Sequence, residues 1–440
     1  MTPAPFNWRP FLSDQRIGGS ASTASSTETL RSEFHRDYDR IIFSSAFRRL
    51  SDKTQVVPFP QSDYTRRRLT HSLEVSCVGR SLATEIYSHR DSGISSVVSQ
   101  GDFEAIVATA CLAHDIGNPP FGHFGERAIQ DWATEFFSQN KLGWELAGQM
   151  TEGQRADLTA FEGNAQSFRV LTRLQMSNRV GGMRLTAATL GALIKYPRPS
   201  FIGNQPARYR KHGCFEDDRA LFDAVFSVAG RTAGPSGEFS RHPLAWLTEA
   251  ADDICYVVVD LEDGWKAGLV SLDDAVRILD AIGKPSWDAS GLPDEDRLAM
   301  ARALAISQLV QECSVVFQQH MAEILDGTFE GALIDYCPSG EPYNEARTLV
   351  CRQVFQSTRV LEMEAAGYRA IQGLLNMLVP AVLSSAPNRF QRHLIQLTGV
   401  RVAGEMSDYQ KLLACTDNVS GMTDRYCVEQ FQKLSGFGAI

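Results

Sequence analysis

Nine cysteines are dispersed singly through the 440 residues, with no CxxC pair. An odd, scattered set excludes a disulfide framework and a thiolate zinc ribbon, and fits a reducing cytoplasm. Cys77, Cys111, Cys255 and Cys313 fall in apolar helical stretches and read as small core residues. The chain also lacks a run of about 18 apolar residues, so no transmembrane helix and no membrane partner is expected. The opening MTPAPFNWRPFLSDQR has no apolar signal core, which argues against export. Basic charge is not in excess: the formal net charge is −9. Such a chain cannot coat nucleic acid non-specifically, and any basic patch must be local. There is no GxxxxGK[ST] loop, no repeat of fixed period and few alternating β-branched runs, which excludes a P-loop enzyme, a solenoid and a β-rich fold.

What is present is an ordinary mixture, 43% hydrophobic and 22% charged, long enough for a large core. Its apolar residues recur at helical spacing almost throughout, so the fold class is all-α. Residues 1–33 are expected to be loosely ordered, since Gly18–Thr29 is a Ser/Thr/Ala/Gly run. Order begins near Phe34 with an amphipathic helix leading into an extended piece at Thr54–Pro58. Residues 138–160 read as a polar loop, and 198–216, with Arg208, Arg210, Lys211 and His212, as a long one. No clean linker appears. Residues 34–270 form the expected catalytic core, and 271–440 a helical C-terminal part that completes the site and makes oligomer contacts.

The centre of the pattern is AHDIGNPPFGHFGE, residues 113–126. Phe103, Ile106, Val107, Ala110 and Cys111 lead to it at helical spacing, which puts His114 and Asp115 on the last turn of a buried helix. Gly117, Pro119 and Pro120 stop that helix. His123 and Glu126, three residues apart at the start of the next helix, share a face. Upstream, His71 lies on the inward stripe of Leu69, Val75, Val78, Leu82 and Ile86. Arg66, Arg67 and Arg68 sit one turn earlier; guanidinium forks match phosphate oxygens, although an arginine run is more often a solvated face. In RHPLAWLTEAADDICYVVVDLEDGWKAG, a helix should run from Pro243 to about Trp265. Asp252, Tyr256 and Asp260, at i, i+4 and i+8, share one face of it. Buried acids need a compensating partner. A cation on one acid and a sugar hydroxyl on the other would provide it; a structural ladder of salt bridges is the plainer alternative. Together His71, His114, Asp115 and Asp252 suit a divalent cation of intermediate softness.

Beyond the H…HD…D spacing, the strings FRRLSDKTQV, RLTHSLEV, FEGNAQ, IKYPRP, EAADDICYVVVDLED and SGMTD accompany the central motif in order. With them the chain resembles the bacterial deoxyguanosine triphosphate triphosphohydrolases of the HD-domain phosphohydrolase superfamily, densely over residues 34–270 and more thinly beyond. The resemblance implies hydrolysis of dGTP, or of other dNTPs, to a deoxynucleoside and inorganic tripolyphosphate. It implies one divalent metal ion per site on His71, His114, Asp115 and Asp252: manganese foremost, with magnesium, iron, nickel or cobalt as alternatives. It makes His123 and Glu126 the catalytic pair, for in-line attack or proton relay. Tyr256 would lie under the deoxyribose and Asp260 would accept from its 3′-hydroxyl. Asn164, Lys195, Tyr196, Lys211 and Arg68 would meet the phosphates, Gln55 and Val56 the 3′-hydroxyl and base, and Glu364 the base. It also implies a homo-oligomer, a hexamer foremost, and a local single-stranded DNA groove. Two alternatives stand beside it: an HD phosphodiesterase or nucleotidase acting on another nucleotide ester, and a nucleotide-sensing or DNA-binding protein with a vestigial site.

Overall fold

Helical periodicity translates directly into architecture. A computed structural model describes residues 6–19, 31–55, 66–89, 92–202, 211–286 and 291–437. Among these residues there are nineteen α-helices and no strand, only isolated bridges such as Thr54 with Arg67 and Pro199 with Cys214. Val56, Arg208 and Arg210 lie outside the described residues.

Three helices hold the centre. Arg68–Ser88 carries His71 and packs on Gln100–Ala113, where Ser76 Oγ donates to Ala108 O at 3.0 Å. Ser99 starts the second of these by accepting from Asp102 N, and His114 closes it as its C-cap. Ala245–Lys266 carries Asp252 and buries Ile254, Val257, Val258 and Leu261 in the same interior. A buried side chain of that size contributes roughly 1.5–3 kcal/mol, so these contacts fix the three helices against one another.

A second apolar interior joins distant parts of the chain. Ile129, Trp132, Ala133 and Phe136 of the helix His123–Gln139 meet Ile371, Leu375 and Val379 of Thr358–Leu383, and Leu412 and Val419 of Asp408–Ser420. Trp132 Nε1 donates to Asn376 Oδ1 at 2.9 Å across that interface. This interior is shared between residues 121–165 and 370–427, so it does not follow a division near residue 270.

The structure corrects several expectations. Residues 6–19 are packed rather than loose: Trp8, Phe11, Leu12 and Ile17 are buried, and Trp8 Nε1 donates to Ser92 O at 2.8 Å. Four large apolar side chains in ten residues outweigh the polar run that follows them. Residues 138–160 hold two helices, Lys141–Ala147 and Glu152–Thr159. The first is capped by Asn140, the second by a reciprocal Thr151–Gln154 box. The helix expected after Phe34 is broken at Phe43, because Ser44 caps a new helix, Ser45–Arg49. Cys77 is exposed, while Cys111, Cys255 and Cys313 are buried.

Candidate active site

His114 ends its helix with its ring oriented by the backbone. Nδ1 lies 2.6 Å from Cys111 O, a contact that needs the proton on Nδ1 and leaves the Nε2 lone pair outward. That Nε2 is buried and makes no hydrogen bond. It lies 3.5 Å from Asp115 Oδ1 and 3.4 Å from Asp252 Oδ1. His71 Nε2 is 3.1 Å from the same Asp252 oxygen, and the two imidazoles are 5.4 Å apart between centroids. Donor atoms of His71, His114 and Asp115 all fall within 4.8 Å of one another, with Asp252 touching both histidines. Two imidazole nitrogens and two carboxylates, with an unanswered Nε2 between them, fit a divalent cation.

The electrostatics agree. Burial alone would lower the His114 pKa, but Asp115 and Asp252 overcome it and raise the ring to about 9. Burial pulls Asp252 upward, and the two imidazoles overrule it and hold it well below the ordinary carboxylate range. Asp115 also accepts from Arg68 Nη1 and Asn118 Nδ2, so it cannot rotate away.

At the start of the next helix, His123–Gln139, His123 Nδ1 lies 2.8 Å from Glu126 Oε2. Glu126 is buried, and its other oxygen accepts from Gly163 N at 2.8 Å. Gly163 is needed there: a Cβ would run into Asn118 Oδ1 and Glu126 Oε1. The bond to Glu126, then its charge, raises the His123 pKa. Burial would raise Glu126, but the bond to His123 and the charges of His123 and Lys211 lower it. Each member of the pair therefore favours the charged form of the other.

Both sets face one cavity of about 470 Å³. Of the residues named from sequence, Gln55, Arg68, His114, Asp115, His123, Asn164, Lys195, Tyr196, Lys211, Asp252, Tyr256 and Glu364 line it. His71, Glu126 and Asp260 are buried and do not appear in its wall. Lys195 Nζ is 3.2 Å from Glu249 Oε1, and Lys211 Nζ 3.0 Å from Glu162 Oε1; both ammonium groups, with Arg198, surround the Tyr196 ring at 5.8–5.9 Å. Tyr256 stacks on Phe355, 5.8 Å between centroids. Neither Asp260 oxygen has a hydrogen-bond partner; burial, then Asp263 and Asp252, push its pKa well above the carboxylate range. Gln55 Oε1 and Glu364 Oε2 are likewise buried and unpaired.

The wall also contains residues the sequence reading did not name, Asn118, Glu249, Arg347 and Phe355, together with Asp253, the neighbour set aside in favour of Asp252. Asn118 lies inside the central motif and was readable there. Arg347 and Phe355 come from the helix Gly340–Val350 and the π-turn after it, where no spacing signal marks them.

Comparison with known proteins places this geometry in context. Residues 68–167 match the HD domain family, and residues 341–433 match the phosphohydrolase-associated domain. A deoxyguanosinetriphosphate triphosphohydrolase-like protein of Synechocystis sp. is 38% identical, covering 98% of this chain and 99% of the relative. One of the same description from Pseudomonas aeruginosa is 37% identical at the same coverage. The deoxyguanosinetriphosphate triphosphohydrolase of Enterobacter sp. is 32% identical, again over 98% and 99%. Among the described residues no helix is long and apolar enough to cross a membrane.

Proposed function

Because the chain belongs to the deoxyguanosinetriphosphate triphosphohydrolase family of HD-domain hydrolases, we propose that it hydrolyses dGTP to deoxyguanosine and inorganic tripolyphosphate. The observation that carries the reading is the meeting, at one cavity of about 470 Å³, of His114, Asp115 and Asp252, with His71 buried behind them, and four cationic side chains and a stacked aromatic wall. That volume suits a nucleotide.

His71, His114, Asp115 and Asp252 would hold the cation, manganese foremost and magnesium, iron, nickel or cobalt otherwise. When bound, a divalent cation supplies Lewis-acid polarisation of a phosphoryl oxygen. The remaining chemistry belongs to side chains. Water adds to the α-phosphorus, the bond from that phosphorus to the 5′-oxygen breaks, and the leaving oxygen takes a proton. His123, whose pKa the bond to Glu126 raises, is the donor matched to that step. Arg68, Lys195, Lys211, Asn164 and Tyr196 bind the phosphates, whose charge competes for the ammonium groups now held by Glu249 and Glu162. Tyr256 excludes a 2′-hydroxyl, Asp260 and Gln55 meet the sugar, and Glu364 meets the base. Arg347 and Phe355 bring the C-terminal part into the same wall. The proposal extends to a cytoplasmic homo-oligomer, a hexamer foremost, with any single-stranded DNA bound in a local groove.

Incubation of the protein with dGTP and manganese, followed by phosphorus NMR, tests the reaction. Tripolyphosphate with deoxyguanosine is the expected pair; release of pyrophosphate or orthophosphate instead overturns the reaction type. Turnover of GTP at the dGTP rate would remove Tyr256 from sugar selection and favour a less selective HD phosphodiesterase.

A further inference from the structure

Asp424 lies at the start of the last helix, Asp424–Leu434, nearly 300 residues along the chain from His123 and Glu126. Its carboxylate is buried. Oδ2 accepts from Thr54 N at 2.8 Å, and Oδ1 accepts from Phe121 N at 3.0 Å. Thr54 immediately precedes Gln55, and Phe121 stands two residues before His123. One carboxylate therefore grips both cavity-lining segments at once.

Beside it, buried Lys53 repeats the arrangement with opposite polarity. Its Nζ donates to Asn118 O and, at 2.8 Å, to Ser420 O, while its own carbonyl accepts from Arg68 N at 3.1 Å. The turn Ser420–Asp424 is thus laced to residues 53–54, to residues 118–121 and, through Lys53, to the start of the His71 helix.

The Phe121 segment needs such support. Phe121 has φ +63° and Gly122 φ +56°, and a left-handed backbone at a bulky residue is strained and persists only where its surroundings impose it. The C-terminal helices do so from two sides. Asp424 holds the Phe121 amide, and the Phe121 ring lies so close to Gly367 that a Cβ there would collide with it. That backbone reversal aims the first turn of His123–Gln139, and with it His123, at the cavity.

We infer that Asp424 is a positioning residue, whose two carboxylate oxygens set the Gln55 and His123 segments relative to each other across the cavity. The inference rests on the proposed dNTP hydrolysis for its kinetic readout only. Asp424→Asn is the sharpest probe, because two backbone N–H donors need two acceptors and an amide offers one oxygen and one competing donor. In Asp424→Asn, hydrogen exchange at the Thr54 and Phe121 amides should accelerate at least tenfold, and kcat for dGTP should fall at least tenfold. The metal content should stay at the wild-type value, since Asp424 touches none of His71, His114, Asp115 or Asp252. Asp424→Glu, which keeps both acceptors, should recover part of the loss and serves as the probe if the asparagine variant does not fold. Leu412→Ala opens a cavity in the same C-terminal layer while keeping the Asp424 carboxylate, and should leave kcat and KM per folded molecule within twofold of wild type. Wild-type exchange at both amides, or wild-type kcat and KM per folded molecule in Asp424→Asn, overturns the inference. If the wild-type protein hydrolyses no dNTP, the function fails while the exchange rates still judge the clamp.

Discussion

Two buried polar clusters lie on either side of Ile116–Gly117, and they are finished differently. In one, Arg169 and Arg173 meet Asp217, Asp218 and Asp417, and all six carboxylate oxygens accept a hydrogen bond. In the other, His71 Nδ1, His114 Nε2, both oxygens of Asp260, Gln55 Oε1 and Glu364 Oε2 are buried with no partner. A buried ion network carries a desolvation cost that its own pairs offset, whereas each unanswered buried group costs about 1–3 kcal/mol with nothing in the protein to offset it. The first cluster reads as a joint between the Gly163–Arg169 helix and the C-terminal layer, the second as a site whose missing partners arrive with substrate and cation.

The contrast breaks most sharply at its open end. Asp115→Ala or His114→Ala should abolish bound metal and reduce dGTP hydrolysis by about a thousandfold or more, the scale of lost transition-state charge stabilisation. Thermal stability should fall for Asp115→Ala, which leaves the buried Arg68 without its carboxylate, and less for His114→Ala. Metal analysis alongside the rate measurement checks both halves. An unchanged metal content would detach the cluster from cation binding.

Arg169→Ala attacks the closed cluster and should do the opposite. It leaves Asp217 and Asp218 with Arg173 and Asp417 with no cationic partner, and removing one member of a buried ion network costs roughly 3–5 kcal/mol. Urea unfolding should register that loss, while metal content and kcat per folded molecule stay near wild type. A large fall in kcat without loss of stability would mean that the two clusters are one machine.

Within the open cluster, His123→Ala should keep the metal and slow the reaction by about a hundredfold or more, within the range for a positioned proton donor. Because the bond to Glu126 raises the His123 pKa, Glu126→Gln should move the basic limb of the rate profile to lower pH. A limb that stays in place assigns it to another group.

The same contrast explains how much could be read from the sequence. His71 and Asp252 stand on helices, and His114 and Asp115 follow directly on the end of another, one as its C-cap and the other in the turn just beyond the expected last helical turn, so their placement was legible one helix at a time. Asp252 was separable from Asp253 because only Asp252 shares a face with Tyr256 and Asp260; in the structure Asp252 meets both histidines, whereas Asp253 is influenced by Lys195. Arg347 and Phe355 were not legible, because they reach the cavity through a tertiary contact that leaves no period in their own segment. The N-terminal segment was misjudged because polar Gly18–Thr29 masked Trp8 and Phe11, and residues 138–160 because the Asn140 and Thr151 caps were not weighed against the polarity of the stretch.

The smallest effect sharpens the comparison at its outer edge. Glu364 belongs to the open set: Oε2 is unpaired, the residue lines the cavity, and burial alone pushes its pKa up to about 7. Guanine presents N–H donors on its Watson–Crick edge, so base reading needs the ionised carboxylate. Ionisation is complete above that pKa and lost below it. KM for dGTP should therefore rise as pH falls through 7, by up to about tenfold for each unit below. Glu364→Gln should flatten this dependence, and dATP, which presents an acceptor at the corresponding ring nitrogen, should not show it. A KM for dGTP that is level between pH 6 and 8 would leave the Glu364 carboxylate as a polar wall group, and would move guanine selection to another part of the cavity.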